Sequence, residues 1–364
     1  MHLVDSLAVG GTERVAVNLV NALPRDRFAA HLCTTRLEGP LSSCVAADVG
    51  RLRLDRKRLV EPRALARLAA YIRQHEIRIL HAHSTTLFQA SLASMLPPYP
   101  AVVWHDHFGF YGLGTDRPAW LYRLAASRAQ AVIAVTPALA DWSRKRLKLA
   151  SDRVHYVPNC VALSVPTATP ELPGTPGARI VCVANFRPQK DHLTLLEAMA
   201  IVARTHPAAH LLLVGSRVDD ACAAAVDAGI ARLRLGPRVT LLGERHDVSG
   251  VLAGCDVGVL SSAAEGLPLA LLEYGAAGLA SVATRVGQCA EVLDDGRAGR
   301  LVPPRSPAAL AGVICELLRN ADQRQTLGAA FRRRVQEAYS MAVVMRAICR
   351  IYEGMLGRSS QHAA

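Results

Sequence analysis

The segment Glu265-Gly266-Leu267-Pro268-Leu269-Ala270-Leu271-Leu272-Glu273 decides how this chain is read. Two carboxylates bracket seven residues in an otherwise apolar stretch that runs on into Tyr274-Gly275-Ala276-Ala277-Gly278. Pro268 suits the first turn of a helix, where its missing N–H costs nothing. That places Glu265 in the preceding loop and Glu273 inside the helix, about one and a half turns on. A helix N-terminus offers free N–H groups and a positive dipole end, a seat for phosphate. With an acid on either side to bond hydroxyls, the expected ligand is a nucleotide-sugar. A buried helix with a surface glutamate at each end is the competing reading of the same residues.

Outward from this segment, apolar β-branched runs alternate with helical patterns, the signature of βαβ units and parallel sheets. In the first half, strands are expected at His2–Asp5, Ala29–Thr34, Ile77–His81, Ala101–His105, Ala131–Val135 and Val154–Val157. Helical patterns fall at Glu13–Leu23, Pro62–Gln74 and Pro137–Leu147. Ser164–Ala178 is dense in Pro, Thr and Gly and reads as a linker. Beyond it the rhythm restarts, with strands at Ile180–Ala184, Leu211–Val214, Val239–Leu242, Val257–Leu260, Ser281–Ala283 and Gly299–Val302. Helices are expected near 191–205, 219–234, 268–277 and 306–320. The fold class is therefore α/β, with two doubly wound, Rossmann-like domains facing a central cleft where strand C-terminal ends hold ligand. Residues 1–163 form the first domain, 164–178 the linker, and 179–340 the second. A terminal helix from Met341 crosses back to the first domain and leaves a flexible tail before residue 364.

Composition agrees. At 364 residues, 51% hydrophobic and 20% charged, the chain is globular and long enough for two cores. Nine scattered cysteines lack metal-like spacing. Cys33, Cys182 and Cys255 sit in apolar runs and read as buried thiols of a reducing cytoplasm. No run is apolar enough to span a bilayer, and no leader pattern precedes the first strand. Residues 1–160 carry 21 Lys+Arg against 12 Asp+Glu, and the remainder 21 against 18. The basic first half, with clusters at Arg51, Arg53, Arg56, Lys57, Arg58 and at Arg144, Lys145, Arg146, Lys148, suits an anionic membrane surface or an acidic acceptor, or is simply a solvated face. Nucleic acid is not expected as a partner, because no aromatic stacking platform accompanies the clusters. A dehydrogenase is excluded by the lack of Gly-x-Gly-x-x-Gly after either domain's first strand.

Further motifs sit at strand ends. Gly10-Gly11-Thr12-Glu13 follows the first strand and opens a helix, where two glycines admit phosphate or acceptor closely. Arg187 and Lys190, in Asn185-Phe186-Arg187-Pro188-Gln189-Lys190-Asp191, can neutralise a diphosphate by fork and point charge. Lys190 is one of only four lysines and the last in the chain. His105 ends a strand and can bond a sugar hydroxyl, with His107 as the reserve candidate and Asp106 available to orient either ring. A zinc site from His81, His83, His105 and His107 is not expected, on the reasoning that the pairs lie on different strands and that x-one spacing turns one ring of each away. No metal and no cofactor is assigned.

Together these residues resemble the donor-site signature of retaining glycosyltransferases of the GT-B fold, above all glycosyltransferase family four. The resemblance runs from residue 10 to about 352 and extends to Gly287-Gln288-Cys289-Ala290-Glu291, like the family's Gly-Gly-x-x-Glu loop with Gln288 for the second glycine. It also takes in Pro158-Asn159-Cys160, like a Pro-Asn-Gly turn with Cys160 for glycine. It implies catalytic roles for Arg187, Lys190, Glu265 and His105. Donor or phosphate binding is implied for Gly10, Gly11, Gly266, Leu267, Pro268, Leu269, Ala270, Glu273 and Gly287. The implied partners are a nucleotide-sugar donor and a saccharide or lipid-linked acceptor, met in the cytoplasm or at the inner membrane face. A nucleotide-sugar epimerase using the same donor site is the first alternative, and a basic protein gripping nucleic acid through its arginine clusters, against which the missing stacking platforms count, is the second.

Overall fold

The computed structural model describes residues 1–8, 10–58, 61–108, 117–161 and 169–361, with side chains through 357. Contacts divide the chain into two compact units, Met1–Cys160 with Met341–Ala364, and Val161–Ser340.

The first unit is built on a seven-stranded sheet. Its strands are β1 (His2–Ser6), β2 (His31–Leu37), β3 (Gly50–Arg53), β4 (Ile79–His83), β5 (Ala101–Asp106), β6 (Ala129–Ala134) and β7 (Val154–Tyr156). All pairs are parallel, in the order β3-β2-β1-β4-β5-β6-β7. The second unit carries β8 (Arg179–Val183), β9 (His210–Val214), β10 (Val239–Gly243), β11 (Val257–Leu260), β12 (Ser281–Thr284) and β13 (Arg300–Val302). These are also parallel, in the order β10-β9-β8-β11-β12-β13. Each sheet thus reverses direction of growth beside its first strand, between β1 and β4 and between β8 and β11. In doubly wound sheets, ligands bind at the strand C-terminal ends of such a switch point.

Strands covered by helices on both faces must be apolar throughout, which is why β11 is buried at all four positions. In the second unit, Ile180, Leu211 and Val257 pack with Leu195 and Met199 of the helix His192–Thr205. The alternate positions Val181, Leu212 and Leu260 pack with Leu271, Leu272 and Tyr274 of the helix Leu269–Ala277. Burial of each such aliphatic side chain is worth about 1.5–3 kcal/mol. In the first unit, Leu3, Leu80, Val102, Trp104 and Val132 meet Leu68 and Ile72 of the helix Pro62–Gln74. The terminal helix Met341–Gln361 belongs to this unit, burying Val344, Ile348 and Tyr352.

Several elements depart from expectation. β3 was not anticipated, because Gly-Arg-Leu-Arg is a charged edge strand with alternate residues exposed. The helix Ala321–Ala338 hides its apolar stripe (Leu327, Phe331, Val335) in a polar sequence. The helix Leu87–Ala93 is short, and its buried face includes Gln89 and Ser91. Residues 164–168 of the Pro-rich stretch lie outside the described residues, and its remainder packs on the second unit. There Leu172 is buried, and Arg179 donates to the carbonyls of Leu172, Pro173 and Gly174 at 2.8, 3.1 and 3.1 Å. Of the basic clusters, Arg56 is not a surface charge: it is buried and paired with Asp5 at 2.6 Å. Cys33 and Cys182 are buried as expected, whereas Cys255 is half-buried.

Candidate active site

At the second switch point, β8 runs into a short 3-10 turn, Pro188–Lys190, and Asp191 then adopts a left-handed conformation (φ 48°). Its carboxylate accepts from the Thr194 N–H at 3.3 Å and hydroxyl at 2.8 Å, capping the helix His192–Thr205. The loop after β11 is stitched to this turn. Ala263 N–H donates to the Gln189 carbonyl at 2.8 Å, and the Ser261 hydroxyl donates to the Lys190 carbonyl at 3.0 Å. This brings Lys190 Nζ to 2.6 Å from Glu265 Oε1, which also accepts from the Ser262 hydroxyl at 2.7 Å. The side chains of Glu265 and Lys190 are 9% and 22% exposed.

Gly287, after β12, supports the same turn. Its φ is +51°, and a Cβ there would lie 2.2 Å from the Glu265 carbonyl oxygen, while Gln288 N–H donates to Gly266 O at 2.9 Å. Gly287 therefore shapes the Glu265-Gly266 turn from behind. Pro268 is the N-cap of the helix Leu269–Ala277, one position earlier than expected, because its ψ of 112° is still extended. No side chain caps that end, so the first N–H groups of the helix remain available. Sequence reading missed Tyr274, which ties this helix to β8 and β11: Val183 N–H donates to its hydroxyl at 2.7 Å, and the hydroxyl donates to Val259 O at 3.2 Å. Only Gly258 leaves room for the ring, since a Cβ there would meet it at 2.7 Å. Glu273 is half-buried on the helix, and Arg187 is exposed at the start of the 3-10 turn.

In the first unit, Gly10 is the N-cap of the helix Gly11–Ala22 with an extended backbone that any residue adopts. Its need for hydrogen in place of a side chain comes from Glu13, whose Oε2 would stand 2.3 Å from a Cβ at Gly10. The carboxylate folds back over the helix N-terminus, and burial raises its pKa. Glu13 thus stands against Gly10 at this helix start.

The histidine reasoning needs correction. Residues two apart on a strand share a face, and β4 and β5 are neighbours with His83 opposite His105. His2 on β1 lies opposite His81. Five imidazoles therefore gather: His2, His81, His83 and His105 are each at most 2% exposed, and His107 is half-buried. The ligating nitrogens of His2, His81 and His83, and those of His83, His105 and His107, lie within 4.8 Å of one another, a spacing that can hold a transition metal. Each ring is already bonded to its neighbours at 2.5 to 3.3 Å. Burial pushes the pKa values of His2, His81, His83 and His105 well below normal and that of His107 to about 3, so all are neutral. Asp106 orients neither neighbouring ring. It points to the opposite face and meets Arg117 through two contacts, at 3.0 and 2.9 Å. Arg117 lies 4.1–5.8 Å from the ring centres of Trp104, Phe108, Tyr122 and Trp142.

Comparison with known proteins places these features. Residues 9–165 match the model of Glycosyltransferase Family 4, and residues 177–320 match that of Glycosyl transferases group 1. The phosphatidyl-myo-inositol mannosyltransferase of Mycobacterium leprae is 29% identical over 61% of this chain, and the match spans 58% of that enzyme's length. The UDP-Gal:alpha-D-GlcNAc-diphosphoundecaprenol alpha-1,3-galactosyltransferase of Escherichia coli is 26% identical, over 76% of this chain and 77% of its own. Anabaena HepE, solved with UDP and glucose, superimposes with a TM-score of 0.81 at 18% identity, over 97% of this chain and 98% of its own. With two parallel-sheet domains of GT-B kind and a family match in each half, the chain belongs to glycosyltransferase family four.

Proposed function

We propose that this protein transfers a sugar from a nucleoside-diphosphate sugar to a hydroxyl acceptor, with retention and without a metal, in the synthesis of a cell-envelope glycan or glycolipid. The observation that carries this reading is the Lys190–Glu265 contact of 2.6 Å at the second switch point, beside a helix end whose N–H groups no side chain caps. A cation, an acid and free N–H groups suit a diphosphate with a polyol attached. The relatives' names support it: one is a phosphatidyl-myo-inositol mannosyltransferase, and another uses UDP-Gal and a diphosphoundecaprenol acceptor.

In the reaction, the bond from the anomeric carbon to the diphosphate oxygen breaks while the acceptor oxygen bonds to the same face of that carbon. The acceptor's proton passes to the departing phosphate oxygen, so no side-chain base is required. Arg187, Lys190 and the N–H groups of Gly266, Leu267, Leu269 and Ala270 stabilise the charge that develops on the diphosphate. Lys190 has three protons and can bond Glu265 and phosphate together. Glu265 positions sugar hydroxyls, Glu273 the ribose, and His105, by the family pattern, the donor sugar. Titration of the protein with UDP-, GDP- and ADP-sugars, followed by a transfer assay with and without EDTA, tests this. Failure to bind any of them removes the reading, and loss of activity in EDTA removes its metal-free part.

Association with an anionic membrane surface is part of the proposal. Trp120 and Leu124, one turn apart on the helix Ala119–Ala126, are 71% and 67% exposed beside exposed Arg123 and Arg128. No helix among the described residues is long and apolar enough to cross a membrane. Flotation with anionic vesicles, weakened in Trp120→Ser/Leu124→Ser, is the expected result, and equal flotation of both proteins opposes it.

A further inference from the structure

A cavity of about 800 Å³ opens on the first unit between the terminal helix Met341–Gln361 and the strands β6 and β7. Ala347, Ile351, Gly354 and Met355 recur at helical spacing and give the groove one wall. Ala129, Ala131 and Val157 give it the other. Gly354 keeps the space open: a Cβ there would meet nothing within 4 Å.

The polar lining is basic. Arg128, Arg153, His155 and Arg350 contribute to it, and Asp152 is the one acid among the lining residues. Arg350 gives its Nε to the Arg346 carbonyl at 3.3 Å, which leaves its terminal nitrogens available, and Arg128 is exposed. Arg153 holds the end of the helix Ala119–Ala126, donating from Nη2 to the carbonyls of Ala126 and Ser127 at 3.1 and 3.2 Å and also to that of Ala129. Its Nε is buried and has no hydrogen-bond partner among the described residues. A buried donor left in this way calls for an acceptor, and an anion in the groove supplies one.

Position ties the groove to the exposed apolar residues of the same helix. Trp120, Leu124 and Arg128 are spaced four apart, and Ser127 keeps helical backbone angles beyond the last turn. One stripe therefore runs along the helix and off its end to the groove.

We propose that this groove holds the headgroup of one anionic phospholipid. The guanidinium groups of Arg128 and Arg350 take the phosphodiester, whose oxygens match an arginine fork. The start of an acyl chain lies along Ala347, Ile351 and Met355, and the volume is that of an ordinary small-molecule site. A free phosphate would leave the apolar wall in water, and a zwitterionic head would set its ammonium against the arginines. Trp120 and Leu124 then enter the bilayer beside the bound head, so stripe and groove grip one leaflet together. Delivery of the lipid from a membrane rests on the membrane association proposed above, whereas the headgroup site rests on the groove alone.

The experiment is calorimetric titration of the full-length protein with dihexanoyl-phosphatidylglycerol below its micelle-forming concentration. Dihexanoyl-phosphatidylcholine and inorganic phosphate are titrated alongside. One phosphatidylglycerol per chain is expected, with the other two binding far more weakly. Affinity should fall about fivefold for each arginine removed in Arg128→Ala and Arg350→Ala. Gly354→Leu fills the groove with a better helix former, so it should melt no lower than wild type and lose the lipid. Trp120→Ser/Leu124→Ser should keep the short-chain lipid and lose flotation on anionic vesicles. Absence of saturable binding, equal affinity for the two lipids, phosphate binding as tightly as phosphatidylglycerol, or undiminished binding in Gly354→Leu overturns the proposal. If wild type binds the short-chain lipid but does not float with anionic vesicles, the membrane reading fails and the headgroup site stands.

Discussion

Gly287 sits so close behind Glu265 that a single added carbon would stand 2.2 Å from the Glu265 carbonyl oxygen. The loop after β12 thereby holds the turn that carries the acid contacting Lys190. Gly287→Ala adds strain at φ +51° and forces the turn away, with an expected stability loss of about 1–3 kcal/mol. Donor affinity should fall with it. Gly312→Ala is the control: its Cβ meets nothing within 4 Å in the helix Pro307–Arg319, so it should stabilise by about 0.5–1 kcal/mol. Thermal melting and donor titration of both variants check this, and an unperturbed Gly287→Ala protein contradicts it.

Arg187 and Lys190 should separate by stability. Each alanine variant is expected to lose roughly two to three orders of magnitude in turnover. Arg187 is exposed, so its loss should leave melting unchanged. Lys190→Ala leaves Glu265, 9% exposed, without its cation, and should melt lower as well. Turnover near wild type in both variants would refute the assignment of these two cations.

Asp106 and Arg117 behave as a sealed unit, with side chains 1% and 8% exposed. Burial raises the Asp106 pKa and the guanidinium opposes that rise. Arg117→Ala leaves a buried carboxylate unpaired and should cost about 3–5 kcal/mol. Arg117→Met with Asp106→Asn should cost much less, because neither charge is stranded. Equal losses in the single and double variants would show that packing among the aromatic rings, not charge, holds the site.

The histidine chain makes the first unit acid-sensitive. These rings are neutral in the fold because burial depresses their pKa values, to about 3 for His107, while in the unfolded chain they protonate near the ordinary 6.5. The unfolded state thus binds more protons below that pH. Stability is full above about pH 6.5 and falls as pH drops toward the folded values, by up to about 1.4 kcal/mol per pH unit for each ring. All three tryptophans, Trp104, Trp120 and Trp142, lie in the first unit and report its unfolding. A denaturant midpoint by tryptophan fluorescence that stays flat from pH 7 to 5 would contradict this.

Sequence alone determined the alternation of strands and helices, because strands buried on both faces must be continuously apolar and helices must carry a stripe. The helix Pro62–Gln74 and the strand Val257–Leu260 fall where periodicity puts them, while the charged edge strand Gly50–Arg53 shows no such signal. Sequence also singled out Lys190 and Glu265, a rare lysine and an acid before an apolar helix. It could not say that they touch, since 75 residues separate them and only the β8–β11 pairing brings their loops together. Tyr274 reads in sequence as an ordinary core residue and Gly287 as a donor-binding glycine, and only backbone proximity shows the first holding the helix Leu269–Ala277 and the second backing the Glu265 turn. The histidines show the same division most sharply. Their spacing was plain, but strand register and a tyrosine from the terminal helix decided that five rings share one hydrogen-bond chain. Local pattern fixes which side of an element faces inward, and only the packing of distant segments determines what it meets there.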